Sequence, residues 1–329
     1  MKSISFRKNL NKNSLGGLVF AVVSILTPAS LYAQDIYVSD LYGNSISEYT
    51  LSGTPVATPL ASGSDLGNPF GMAVSGDTLY VANYGADTIS EYNANTGAEI
   101  GTNPFISGVG LNQPADLLLN GDDLYVANIG GSSTPNNGSV YEFNALTGAM
   151  IGTGPLISSG LNYSEYMALA GNDLYVSSWT SVNVYNATTG AEVGGAPLIS
   201  GLDNVRGLAV NGNDLYVVDG VDGTVTEYNA TTGKEIGHKP LISGLEDPRQ
   251  IVYLDGDIYV SDVGTNSITE YDATTGKEIS CTPLVGGASN PYDFIITSDP
   301  ATPVPEPSTW AMLLGGLLLF IYIRRARSR

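Results

Sequence analysis

The chain has 329 residues, of which 14% are charged, with 40 glycines, one histidine, one cysteine and a formal net charge of −19. The charge is uneven: over residues 34–303 five Lys or Arg face 31 Asp or Glu, a balance of −26 that repels phosphate backbones and excludes nucleic acid as a partner. A single cysteine, Cys281, excludes an intrachain disulfide, and its place in a repeated strand suggests a small buried hydrophobe.

In chain order, Lys2, Arg7, Lys8 and Lys12 precede an apolar segment at residues 15–26, with small residues at Ala29 and Ala33. Residues 1–33 therefore read as a signal peptide, with an uncleaved anchor as the plainer alternative.

Residues 34–298 are repetitive. A Leu/Ile-Tyr-Val triplet is centred on Tyr37, Tyr80, Tyr125, Tyr175, Tyr216 and Tyr259, at spacings of 43, 45, 50, 41 and 43 residues. The longest spacing holds residues 130–138, a loop rich in Gly, Ser and Asn. A second strand series ends in Glu-Tyr at Tyr49, Tyr92, Tyr228 and Tyr271, with Phe143 and Tyr185 in the equivalent places. It runs into Asn-Ala-Thr-Thr-Gly or a variant, where Asn and Gly are expected to supply the positive backbone angles of a hairpin turn. A third series enters with Pro or a substitute, as in Pro69-Phe70-Gly71-Met72 and Pro291-Tyr292-Asp293-Phe294. A fourth segment runs from Glu-Ile-Gly to Pro-Leu-Ile-Ser-Gly.

Four short strands per period of roughly 43 residues is the pattern of propeller blades. The repeat opens on a second strand at Asp35 and closes on a first strand ending near Thr297. Six first and six second strands balance only if the last strand pairs with the first, which also removes exposed sheet edges. The expected fold is all-β, a six-bladed β-propeller of four-stranded blades closed by its N- and C-terminal strands.

Pro69-Phe70-Gly71-Met72-Ala73-Val74, Leu79-Tyr80-Val81-Ala82-Asn83 and Thr88-Ile89-Ser90-Glu91-Tyr92 recur around the ring, and in them residues 34–298 resemble NHL-repeat and YVTN-type six-bladed propellers. The resemblance is specific for fold, because propellers host binding modules, scaffolds and enzymes alike.

Loops entering the first strands and loops joining second to third strands should share one face around the channel mouth. The mouth positions are Phe70, Ala115, Glu165, Arg206, Arg249 and Tyr292, with Asp116, Tyr166 and Asp293 one residue on and Tyr42, Tyr84, Tyr163 and Trp179 in the surrounding loops. These positions vary against a repeating scaffold, which is where specificity would sit. Two arginines with aromatic neighbours could hold an anionic or sugar-like ligand. Alternatively, the arginines pair with Glu165, Asp116 or Asp293 and the variation is loop drift. The recurring tyrosines read as inter-blade packing with the hydroxyl on a polar partner. Asp40, Asp219, Asp222 and Asp262 could take calcium, although turn formation is the commoner role for such residues. No cofactor is otherwise implied.

Residues 299–309 form a Pro-rich linker with Pro305, Glu306 and Pro307, followed at 310–329 by an apolar run and an arginine-rich end. With snorkelling arginines the run suffices for a transmembrane helix with its basic end in the cytoplasm. Pro-Glu-Pro, apolar run and arginine cluster at the extreme C-terminus resemble the PEP-CTERM sorting signal. That resemblance implies an exosortase-type membrane protease as partner, anchoring before processing, and release or surface attachment afterwards.

His238 is the one histidine and lies away from the mouth series, which argues against His-based metal sites and Ser-His or Cys-His nucleophiles. The balance leans away from an enzyme. The expectation is a non-catalytic binding or structural protein of the cell surface, with extracellular polysaccharide or a matrix protein as partner. The alternative is a metal-dependent lactonase or lyase acting on an extracellular sugar-like substrate at the mouth.

Overall fold

The computed structural model describes residues 34–63, 65–131, 137–195, 197–237 and 239–297. The segments expected to be a signal peptide, a Pro-rich linker and a transmembrane helix, and His238, lie outside the described residues. Among the described residues 23 strands form six antiparallel sheets, and none of the described segments is a helix.

Each sheet is one blade, and its innermost strand is the Pro-entered one: Pro69–Ser75, Pro114–Asn120, Met167–Ala170, Val205–Asn211, Pro248–Leu254 and Pro291–Thr297. The last of these completes the blade begun by Asp35–Asp40, pairing in register Asp35 with Thr297 and Ile36 with Ile296. Ring closure therefore takes the form that the strand count requires. Second strands such as Thr78–Asn83 and Asp214–Asp219 are buried along nearly their whole length. Their β-branched and aromatic residues suit a pleated strand covered on both faces.

The core is divided between blades. Each neighbouring pair of blades encloses its own apolar cluster, exemplified by Tyr37, Ile46, Met72, Leu79 and Val81 between the first two blades. The cluster at the closing seam joins Ile36, Val38 and Phe294 to Ile268 and Val285.

The Asn-Ala-Thr-Thr-Gly turns lock the blades together. Hydroxyls of Tyr37, Tyr80, Tyr125 and Tyr175 donate to the carbonyls of Ala94, Ala145, Ala187 and Ala230 in the turn of the following blade, at 2.9–3.2 Å. In the same turns Gly97, Gly190, Gly233 and Gly276 lie against the carbonyls of Leu60, Leu156, Leu198 and Leu241 in the preceding blade, leaving no room for a Cβ. Gly53 and Leu284 make the same contact across the seam. The repeated Pro-Leu pair is thus the seat for the next blade's turn.

Three expectations need correction. Positive φ in these turns comes from the glycine, such as Gly97 at 65°, whereas Asn93 acts through its side chain, whose Oδ1 accepts from Thr96 N and Oγ1 at 2.9 Å. The fourth strands are mostly two residues long, as at Ile106–Ser107, because a loop follows the bridge between Tyr92 and Glu99; in the third blade only isolated bridges remain. Cys281 is exposed and lies in the loop before Val285–Gly286, not in a buried strand position.

Candidate functional site at the channel mouth

The chain turns into four of the six inner strands through an amide residue held at positive φ: Asn68, Gln113, Asn204 and Asn290 at 41–62°. Asn tolerates this region because its short amide bonds locally. Tyr163 does the same work at φ 55°, a costly conformation for an aromatic residue. Immediately after Pro69, Pro114, Val205 and Pro248 the pairing with the second strand shifts register. This bulge turns the mouth residue and its successor toward the axis. Ser39, Ser177 and Ser261 accept from the freed backbone N–H groups of Asp293, Tyr166 and Gln250 at 2.9–3.2 Å.

The channel is blocked just inside the mouth. Tyr166 is fully buried, and its hydroxyl donates at 3.2 Å to the carbonyl of Tyr292, which belongs to the blade opposite. Its ring packs on Phe70 at 5.8 Å, and Phe70 meets Tyr292 edge-on at 5.4 Å. Phe70, Ala115, Ile129, Tyr166 and Tyr292 form one apolar cluster.

Beneath this plug lie two buried carboxylates. Asp116 accepts from Leu117 N at 2.9 Å and from Met167 N, on the next blade, at 2.7 Å. Asp293 accepts from Met72 N at 2.9 Å and from Gln250 Nε2 at 2.7 Å. Burial pushes Asp116 up to about 7, against the pull of its two N–H donors. Burial, and then the charge of Asp116, raises Asp293 well above the usual carboxylate range. Asp116 and Gln250 open onto an otherwise apolar cavity of about 240 Å³ deeper in the channel.

Above the plug is a second cavity, of about 310 Å³. Tyr42, Phe70, Tyr84 and Tyr292 give it aromatic walls, and Asn68, Glu165 and Arg249 supply its polar groups. Arg249 stands 4.3 Å over the Tyr292 ring and donates from Nη2 to Tyr292 Oη at 3.3 Å and to Asp247 Oδ2 at 3.1 Å. Arg206 donates from Nη1 to Asp247 Oδ1 at 2.5 Å and to the Pro248 carbonyl at 2.7 Å. The Asn204 amide, turned to present its oxygen, accepts from Arg206 Nη2 at 3.0 Å. Burial would raise the Asp247 carboxyl, but the two guanidiniums outweigh it and hold the group below its usual value. Burial raises the Glu165 carboxyl, opposed by Arg249 and Arg206. Burial, together with the hydrogen bond shared with Tyr42, pushes Tyr292 up to about 12. Two polar atoms of this wall, Glu165 Oε2 and Arg249 Nε, are buried without a hydrogen-bond partner.

Of the residues singled out by sequence, Phe70, Glu165, Arg249 and Tyr292 come together around the upper cavity. Tyr166 is its floor, Asp116 and Asp293 lie below that floor, and Arg206 is turned aside to Asp247. Trp179 does not line the cavity; it is 38% exposed and packs at a tilt on Tyr163, with ring centroids 5.4 Å apart. The arginines' ion-pair partner is Asp247 rather than Glu165, Asp116 or Asp293. Asp247 had a signal in the sequence, since it holds the position before Pro248 where Asn stands in other blades. Asp40, Asp219 and Asp262 accept from backbone N–H groups of their own loops, as turn-forming residues do. Among the described residues no three His, Cys, Asp or Glu side chains are grouped so as to hold a metal ion.

Comparison with known proteins gives two family matches, each over part of the chain. Residues 178–279 match the outer membrane protein assembly factor BamB family, and residues 303–327 match the PEP-CTERM protein-sorting motif. The motif implies export and processing by an exosortase, a membrane protease. No curated protein matches the sequence. Among solved structures, a chain of a nidogen/laminin complex superposes with a TM-score of 0.64 at 15% identity, covering 81% of this chain and 99% of that one. A computationally designed protein, Ika8, gives a TM-score of 0.48 at 16% identity over 78% of this chain and 73% of its own. The first match agrees with the six-bladed fold.

Proposed function

We propose that this exported, exosortase-sorted propeller acts without catalysis, as a binding or structural protein of the cell surface or its polysaccharide matrix. The observation that carries the reading is the sorting motif at residues 303–327 placed directly after a closed, strongly acidic propeller. The solved nidogen/laminin complex contains a propeller of this shape within a protein assembly, a use of the kind proposed. The upper cavity, with four aromatic walls and an Arg and a Glu, supports recognition at the mouth.

Intact mass spectrometry of the protein from its native host, in membrane and culture-fluid fractions, tests the reading. A species lacking residues 1–33 and the residues after about Pro307 is expected at the surface or in the fluid. A mass that retains residues 310–329 in every fraction overturns surface sorting and leaves a membrane-anchored propeller.

A further inference from the structure

The upper cavity is selective in the polar groups that line it: an ionised Glu165 offers acceptors alone and Arg249 offers donors alone. Glu165 Oε2 and Arg249 Nε are themselves closed off from the cavity, but both residues are only partly buried, so a ligand meets the remaining polar atoms of the two side chains. A carboxylate or phosphate supplies acceptors alone: it would serve Arg249, face Glu165, and approach a propeller of charge −26. An ammonium supplies donors alone: it would serve Glu165 and face Arg249, whose guanidinium already occupies the Tyr292 ring face. A hydroxyl both donates and accepts, so a polyol serves both residues. The remaining walls are the aromatic rings of Tyr42, Phe70, Tyr84 and Tyr292, surfaces for the C–H faces of a compact ring.

We infer that the mouth cavity binds an uncharged saccharide unit, with Glu165 accepting from one hydroxyl and Arg249 donating to another, between the aromatic walls. This rests on the binding reading proposed above and narrows its ligand. The volume of about 310 Å³ is at the small end for ligand pockets, so it suits the end of a glycan and not a long internal stretch. Trp179, 38% exposed and packed against Tyr163, offers an aromatic face for the next unit. Tyr163 packs on the mouth cluster and is held at its strained φ of 55°.

The test is a glycan array of neutral hexose-ended and uronic-acid-ended chains, probed with the processed protein isolated from its host. Calorimetry with the best binder follows. Neutral-ended glycans should bind, and Glu165→Gln should weaken them at least tenfold with unchanged melting. Arg249→Lys, which keeps the charge but removes the planar guanidinium and its fork of donors, is the second variant should Glu165→Gln fail to fold, and should weaken binding similarly. Binding confined to uronic-acid ends, binding untouched by both variants, or no binding at all overturns the inference. Retention of the protein on matrix from its own cells separates the two readings: retention without glycan binding removes the saccharide and leaves the surface-binding role standing. A glycan-binding protein found unprocessed in the inner membrane removes surface sorting and leaves the saccharide site standing.

Discussion

Gly207 stands where two inner strands approach closely, and Gly207→Ala measures how much slack the ring has there. A Cβ there would lie 2.6 Å from the Arg249 carbonyl oxygen, 2.8 Å from Ile251 N and 3.0 Å from Gln250 Cα, all main-chain atoms of the adjacent inner strand. The shortest of these is about 0.8 Å inside ordinary contact at 3.4 Å. The neighbouring strand cannot back away along the ring without pressing on the next one, because the six inner strands stand in a closed circle. Overpacking by one methyl costs about 1–3 kcal/mol, and for a domain of this size that lowers the melting temperature by about 2–10 °C. Gly154→Ala is the matched control, since a Cβ there meets nothing within 4 Å and its φ lies outside the positive region. It should leave stability unchanged or raise it by up to about 1 kcal/mol through the unfolded chain. Thermal unfolding followed by circular dichroism distinguishes them. Equal melting of Gly207→Ala and the parent would mean that the inner strands can part, and the argument from closure would be wrong.

The inter-blade tyrosines give a second prediction. Tyr80→Phe removes the 2.9 Å bond to the Ala145 carbonyl and should cost about 1 kcal/mol in chemical denaturation; no change would mean that packing alone holds the blades. The plug-level carboxylates give a pH prediction. Asp116 binds its proton more tightly folded, at about 7, than unfolded, so its contribution is full below the unfolded value and is lost as pH rises toward and through 7. Denaturation midpoints between pH 4.5 and 8 should fall with rising pH, and Asp116→Asn should show a shallower fall. The variant should be less stable overall, because its amide would present N–H to one of two N–H donors, Leu117 N or Met167 N. An unchanged slope would rule out Asp116 as the titrating group.

The architecture was legible because each blade repeats its own chemistry. Tyr80-Val81, the Asn93 turn and Pro69 recur at a period that only four short strands can fill, and an unmatched strand at each end demanded closure. The mouth was legible as a series of positions, since Phe70, Glu165, Arg249 and Tyr292 hold equivalent places in four blades. What the period does not encode is how far a side chain reaches across the axis. Tyr166 follows Glu165 by one residue, yet its side chain reaches through the centre to the opposite blade while Glu165 stays above. Arg206 and Arg249 find Asp247 because adjacent blades bring their loops together, a contact between residues 41 apart for the Arg206 pair. Trp179 packs on Tyr163 and stays outside the cavity; the repeat does not encode how far a loop residue stands from the axis. Cys281 misled because a long loop replaces most of the fourth strand, so its position carries no burial.

The pairing of Asp35 with Thr297 has a mechanical consequence. The inner strand Pro291–Thr297 starts at the mouth and finishes at the far face, and the partner strand starts beside that finish. Both ends of the propeller therefore leave from one point on the face opposite the aromatic cavity. A pull applied through the residues beyond Thr297 would reach the ring at its closing seam, on the side away from the cavity, and would load the Asp35–Thr297 pairing before any bond at the mouth.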